Sequence, residues 1–386
     1  MLKKWIAGIF ILIISIPVLM WLAWLLTPKT NLVAAIIDKT VLTTAGQEHI
    51  SLNWILNHER LTKTPSRSYK IDRDYYGFFP LKNEKYQLKG LERFSSAQLA
   101  QLSNDADLVY VTDTYGIFNN EWYTGKNVSE RSGKLYGGLS KQDMQFLLLM
   151  KARKKLIMAE FNTIGSPTDS TCRETFEKTF GIKWSGWTAR FFDKLDTAAN
   201  KEIPRWLIND YKKMHNNQWP FKNSGIAFVS LNDQVIILED KKHLINPMPQ
   251  IFSKKYGREV LSLPAAMKYP FWFDVINTDP QVNQTAAVFN LNVNREGAAE
   301  LAKWGLPSIF PAVTYHKGSD YSFYYFSGDF CDNPVPLTAS YFKGIGVFKS
   351  FFYDENDPSE RSSFFWKFYR PMVTNILKEY SRTKVN

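Results

Sequence analysis

Residues 107–116 read DLVYVTDTYG, and residues 137–161 read GGLSKQDMQFLLLMKARKKLIMAEF. In the first stretch Leu108–Thr112 is a short run of apolar and β-branched residues, the composition of a buried strand, and it stops at Asp113. In the second, Ser140 is followed three residues on by Asp143, which resembles a capping box. The helix this starts should run through Phe146 to the cations Lys151, Arg153, Lys154 and Lys155, whose charge complements a carbonyl end. Residues 155–159, KLIMA, then make a strand that ends at Glu160. Working outward, residues 32–37 (LVAAII) form an earlier strand ending at Asp38, and helical spacing follows through Ile50, Trp54, Ile55 and Leu61. Ser95–Leu102 is a shorter helix, and another opens near Asp169 or Ser170. Strands that are apolar throughout need cover on both faces, so this alternation predicts a mostly parallel sheet with helices on each side. No glycine-rich phosphate loop follows the first strand, which argues against a nucleotide fold of the Rossmann or P-loop type.

The chain beyond residue 215 reads differently. Paired strands are expected at Ile226–Val229 and Gln234–Leu238, with others at Phe271–Ile276, Thr285–Val293, Ala312–Tyr315 and Tyr321–Phe326, and a helix lies between Asn294 and Gly305. At the other end, Trp5–Leu26 is uncharged for 22 residues, preceded by Lys3 and Lys4. At about 1.5 Å per residue that suits a hydrocarbon core of about 30 Å, and it is longer than the apolar stretch of a cleaved signal peptide. The expected organisation is a tail and anchor over 1–30, an α/β domain over 31–215, and a mixed α+β region over 216–386 packed on it. With the short basic tail inside, the bulk of the chain is extracytoplasmic and the lipid bilayer is its first partner, through residues 5–26.

A net charge of +11 is spread along the chain, so no nucleic-acid partner is expected, while anionic lipid or envelope polymer is favoured weakly. Cys172 and Cys331 lack the spacing of a zinc site and read as buried thiols, with a disulfide as the alternative in an oxidising compartment. No metal or cofactor is assigned.

Ligands of open parallel sheets bind beyond the carboxyl ends of the strands. Three strands there deliver Asp38, Asp113 and Glu160, joined by Lys39, Tyr115 and Asn162. Paired carboxylates can act as acid and base on a glycosidic bond, and three can hold a hard cation, while the bland alternative is that they satisfy turn amides. Residues 160–168, EFNTIGSPT, lack the pattern of a nucleophile elbow, so Ser166 reads as a turn residue. Asp329 and Asp332 in SGDFCDN (327–333) can join the carboxylate edge if the strand before them returns to the sheet. Trp184, Trp187 and Arg190 in KWSGWTAR (183–190) are candidates for the wall of a sugar cleft.

With these residues in hand, residues 31–200 resemble the class I glutamine amidotransferase-like fold, on DLVYVTDTYG, on GGLSKQDMQFLLLMKARKKLIMAEF, and on YYFSGDFCDN as a returning strand. The resemblance implies a flavodoxin-like sheet, and the overall pattern is similar to uncharacterised bacterial membrane-anchored proteins. Active members use an elbow cysteine and a later His-x-Glu pair. His215, His243 and His316 are not followed two residues on by Glu, so amidotransferase chemistry is not implied. The expectation is an α/β chain, a mostly parallel flavodoxin-like sheet followed by a β-rich α+β half, with one N-terminal transmembrane helix. Its leading function is glycan or polymer binding at the envelope; a carboxylate-dependent hydrolase and a structural partner in a membrane complex are the alternatives.

Overall fold

The structure, a computed structural model, describes residues 15–123, 131–354, 357 and 360–385. The strands form in chain order as β1 (Ala34–Asp38), β2 (Tyr76–Pro80), β3 (Tyr86–Leu88), β4 (Leu108–Asp113) and β5 (Leu156–Glu160). They continue as β6 (Ile182–Phe192), β7 (Gly225–Ser230), β8 (Val235–Glu239), β9 (Gln250–Ser253) and β10 (Ala266–Lys268). The last four are β11 (Phe273–Thr278), β12 (Gln284–Asn290), β13 (Ile309–Lys317) and β14 (Ser322–Phe326). One ten-stranded sheet has the order β10-β9-β12-β13-β14-β5-β4-β1-β2-β3, and β8-β7-β6-β11 make a second, antiparallel sheet.

The parallel part of the large sheet is β2-β1-β4-β5-β14. Numbered among themselves along the chain, these five strands run 2-1-3-4-5, the flavodoxin-like order. The strand carrying YSFYYF does return, pairing in parallel with β5. Beyond residue 215, β9, β10, β12 and β13 extend the same sheet as antiparallel strands, so the sheet is mixed and crosses residue 215 without a break.

Alternate residues of each parallel strand point to opposite faces, and both faces are buried. Ala34, Ile36, Leu108, Tyr110, Leu156, Met158, Tyr324 and Phe326 meet Leu52, Trp54, Ile55 and Leu56 of α1 (Ile50–His58) and the C-terminal helix. Ala35, Ile37, Val109, Val111, Ile157, Ala159, Phe323 and Tyr325 meet α2 (Ser96–Asp105), α3 (Lys141–Ala152) and α4 (Ser170–Phe180). The two-sided cover explains why these strands read as unbroken apolar runs. Helix starts follow their caps: Ser95 with Gln98 and Ser140 with Asp143 close capping boxes, and Asp169 and Asn294 accept amides at the starts of their helices.

The transmembrane helix has no support in the structure. Residues 15–26 are helical, Trp5–Ile14 of the apolar run lie outside the described residues, and no helix among the described residues is long and apolar enough to cross a membrane. Cys172 and Cys331 are both free and buried.

Candidate functional site

In the order 2-1-3-4-5 the chain reverses direction of growth between β1 and β4, the switch point where flavodoxin-like sheets bind ligands. Asp38 ends β1 and Asp113 ends β4, and the two are register partners. β2 approaches closely here because residue 77 is glycine: a Cβ at Gly77 would stand 1.6 Å from the Asp38 carbonyl oxygen. The loop after β1 supplies Thr40, whose hydroxyl donates to Asp113 (2.7 Å) and accepts from the Gly116 amide (2.9 Å). The same connection carries Glu48 and His49 into the site. His49 Nδ1 meets the Asp38 carboxylate at 2.5 Å and its Nε2 faces the Ile71 carbonyl at 2.9 Å.

From the other side, the turn after β14 brings Asp329 and Asp332. Carboxylate oxygens of Glu48, Asp329 and Asp332 lie within 4.8 Å of one another. Arg361 answers them from the C-terminal region, with contacts of 3.0 Å to each aspartate and its guanidinium 4.4 Å from the Phe271 ring centroid. The two carboxylates outweigh the burial that would lower its pKa, so Arg361 is held charged.

Five carboxyl groups, Asp38, Glu48, Asp113, Asp329 and Asp332, thus gather around two basic partners, His49 on Asp38 and Arg361 on Asp329 and Asp332. Like charges in a poorly solvated space disfavour ionisation. Burial, then Asp332, Asp329, Asp113 and Asp38, push Glu48 well above the usual carboxylate range. Burial also raises Asp113, with the Thr40 hydrogen bond opposing and Asp329 and Asp38 adding to the shift. Glu48 is half-buried, as are Thr40, Tyr115, Asn162 and Arg361, while Asp38, Asp113, Asp329 and Asp332 are buried.

The structure sorts the expected residues. Asp38, Asp113, Asp329 and Asp332 come together, and Asn162 joins them through its amide on Asp113 (3.3 Å). Glu160 is strand-terminal as expected but turns inward: Tyr110 (2.6 Å) and the Cys331 amide (3.0 Å) donate to it, and Tyr369 bonds Tyr110 and the Cys331 thiol. Burial raises its pKa well above normal. Lys39 is a correction. Its ammonium points away from the cluster to Asp143 (2.5 Å), Glu92 and the Gly138 carbonyl (3.0 Å), because the backbone alternates at the strand end. Trp184 and Trp187 are corrections too. Three residues apart in β6, they lie on opposite faces of the strand and bury in different cores, and neither lines a cleft. Arg190 pairs with Glu202 and packs over Phe192. Glu48, His49, Thr40 and Arg361 were not anticipated. The first three lie on the connection after β1, where a switch-point ligand would be met, whereas nothing local marks Arg361.

Two surface cavities lie elsewhere and contain none of these residues. One, of about 820 Å³, is lined by Arg131, Trp206, Asp210 and Asp233; the other, of about 400 Å³, by Tyr211, Phe221, His243 and Trp304.

No protein-family model and no curated protein sequence matches the chain. Similar solved structures include a ThuA-like protein from Bacteroides uniformis, at 8% identity over 82% of this chain and 89% of that one, with a TM-score of 0.34. A cold-adapted β-galactosidase from Rahnella sp. R3 (10% identity, 71% of this chain, TM-score 0.29) and one from Bacillus circulans sp. alkalophilus (10%, 62%, 0.26) are also similar. The chain spans only 23% and 22% of the length of those two enzymes. At these TM-scores the likenesses carry no argument about activity. The flavodoxin-like order stands on the strand pairing itself, and the glutamine amidotransferase-like assignment remains a resemblance.

Proposed function

We propose that this chain is a binding or accessory protein of a bacterial envelope that holds a glycan or related polyhydroxylated polymer at the switch-point acids. In this reading residues 5–26 tether it to the bilayer and the bulk of the chain is extracytoplasmic. The observation that carries the binding proposal is the convergence of Asp38, Glu48, Asp113, Asp329 and Asp332 where the strand order reverses. Carboxyl groups that keep their protons donate hydrogen bonds and ionised ones accept them, and a sugar hydroxyl needs both. The same negative field disfavours the phosphates that many switch points bind. Cys172 does not restore amidotransferase chemistry, since it lies within α4 with its thiol pushed up by burial to about 11.

A glycosidase-type hydrolase is the second reading, favoured by Glu48 and Asp113, whose carboxyl groups burial and neighbouring acids push toward the protonated form, lying in one cluster with Asp329, which pairs with Arg361. That pairing of a retained proton with a fixed carboxylate is what glycosidic cleavage requires. One experiment addresses both. Full-length protein in detergent is passed over immobilised envelope polysaccharides and peptidoglycan, wild type beside Asp113→Asn and Glu48→Gln. Retention of wild type and a loss of about tenfold or more in affinity in both variants is expected. No retention of the wild type on any polymer would refute the binding proposal, and release of reducing ends by wild type alone would convert it to the hydrolase.

A further inference from the structure

The helix over residues 15–26 does not stand clear of the fold. Ile16, Met20 and Trp24, spaced four residues apart and so on one face, are half-buried, as is Ser15 at its start. The Met20 carbonyl accepts from the Lys343 amide (3.0 Å), and the Trp24 ring meets Tyr341 edge-on at 4.9 Å and donates to the Asn57 carbonyl (2.9 Å). Arg60 stacks on Trp24 and donates to the Trp24 carbonyl. The opposite face, Val18, Leu19, Leu22, Leu25 and Leu26, is exposed. The Lys343 contact sets a second apolar element beside this helix, the 3-10 turn Ile345–Phe351, in which Val347 is 84% and Phe351 83% exposed.

We infer that the outer face of helix 15–26 and the turn Ile345–Phe351 form one surface that beds into the headgroup region of a lipid bilayer. Three observations select lipid as the occupant. The apolar run continues in sequence through Trp5–Ile14 without a charge, so the surface is continuous with the segment that most needs a hydrocarbon environment. Neither 15–31 nor 333–353 contains an acidic residue, and while Lys343 pairs with Glu59, Lys29 and Lys349 supply cations that anionic headgroups attract. Trp21, Trp24 and Tyr341 add the aromatic side chains that settle at a membrane interface. The inference rests on the tether reading for residues 5–26 and adds to it a second contact, more than 300 residues away in the chain. Geometry makes the two interdependent. Met20 lies six residues before Leu26, about 9 Å along a helix, so seating the apolar run in lipid lowers the turn bonded to Met20 to the bilayer surface.

Single-cysteine labelling tests this on the full chain, because Cys172 and Cys331 are buried and leave an introduced thiol as the reactive one. An environment-sensitive fluorophore is placed by Val347→Cys, Phe351→Cys, Leu19→Cys or, as a control in the β7–β8 turn, Leu231→Cys. Each protein is reconstituted into phosphatidylethanolamine–phosphatidylglycerol vesicles with and without doxyl-labelled lipid. Blue-shifted emission and doxyl quenching at 347 and 351 comparable to that at 19, with none at 231, is expected. Quenching at 19 but not at 347 or 351 would overturn the inference and leave the tether. Quenching at none would overturn both. A blue shift at 351 that is present without lipid and insensitive to doxyl would mean that a second copy of the chain covers the face, and would also overturn it.

Discussion

Asp38 and Lys39 are neighbours at the end of one strand, both buried, and their side chains enter environments of opposite character. Lys39 is enclosed by Asp143, Glu92 and the Gly138 carbonyl, and the two acids are themselves engaged by Ser140 and Tyr136. Burial lowers its pKa, but Asp143 and Glu92 reverse this and hold it charged. On the Asp38 side five carboxyl groups gather around one histidine and one arginine, and burial and mutual repulsion push two of them, Glu48 and Asp113, toward the protonated state. Burial alone therefore does not separate a structural ion pair from a ligand site. The balance of charge does, since each side reaches solvent through a half-buried acid, Glu48 or Glu92.

The comparison can be broken most forcefully at Lys39. Lys39→Met strands Asp143, which is fully buried, and should cost about 3–5 kcal/mol in urea unfolding. A cost under about 1 kcal/mol would mean the enclosed side is not the structural one. Arg361→Met removes a cation from the crowded side, where acids can respond by taking up protons. Its cost should be about 2–4 kcal/mol at pH 8 and visibly smaller at pH 5, and equal costs at both would deny that the acids titrate.

Asp274 sharpens the contrast because it is a buried acid with defined partners and no crowd. It accepts from Thr188 (2.6 Å) and the Asn162 amide (3.1 Å), tying the small sheet to the end of β5, and burial lifts it to about 7. Between its ordinary value and 7 the folded state binds the extra proton, so its contribution is complete below the unfolded value and declines as pH rises. The decline should be roughly 2 kcal/mol between pH 5 and pH 7. Asp274→Asn should remove that slope from the stability curve; an unchanged slope would assign it to other groups. The smallest effect is at Glu48, where Glu48→Gln removes a half-exposed acid from four others and should stabilise the fold by about 0.5–1 kcal/mol at pH 7. Thermal unfolding reads the sign, and a loss of stability would count against an excess of negative charge.

Much of the parallel half was legible because its information is local. Strands such as LVYVT and LIMA announce two-sided burial by having no polar alternation, and the Ser140 and Asn294 caps are written in adjacent residues. The strand-end acids follow from the same logic. What could not be read is set by contacts between remote segments. Asn333 meets Ser51 and Arg361 meets Asp329 only after the antiparallel strands have extended the sheet and carried the chain back. The tryptophans of KWSGWTAR misled for another reason. The two rings stand three residues apart in β6, an odd separation that strand alternation sends to opposite faces, so rings expected on one wall go into two cores.

The most direct test of the switch-point site joins its two properties in one protein. Glu48→Gln is purified beside wild type, its unfolding midpoint is measured, and its affinity for the polysaccharide that retains the wild type is titrated. A variant that is as stable as wild type or more so, yet binds about tenfold or more weakly, is the predicted result, since it gives up a ligand contact while relieving repulsion. A variant that binds as well as wild type and unfolds more easily would show Glu48 to be part of the scaffold, and would contradict the assignment of the acidic cluster as a ligand site.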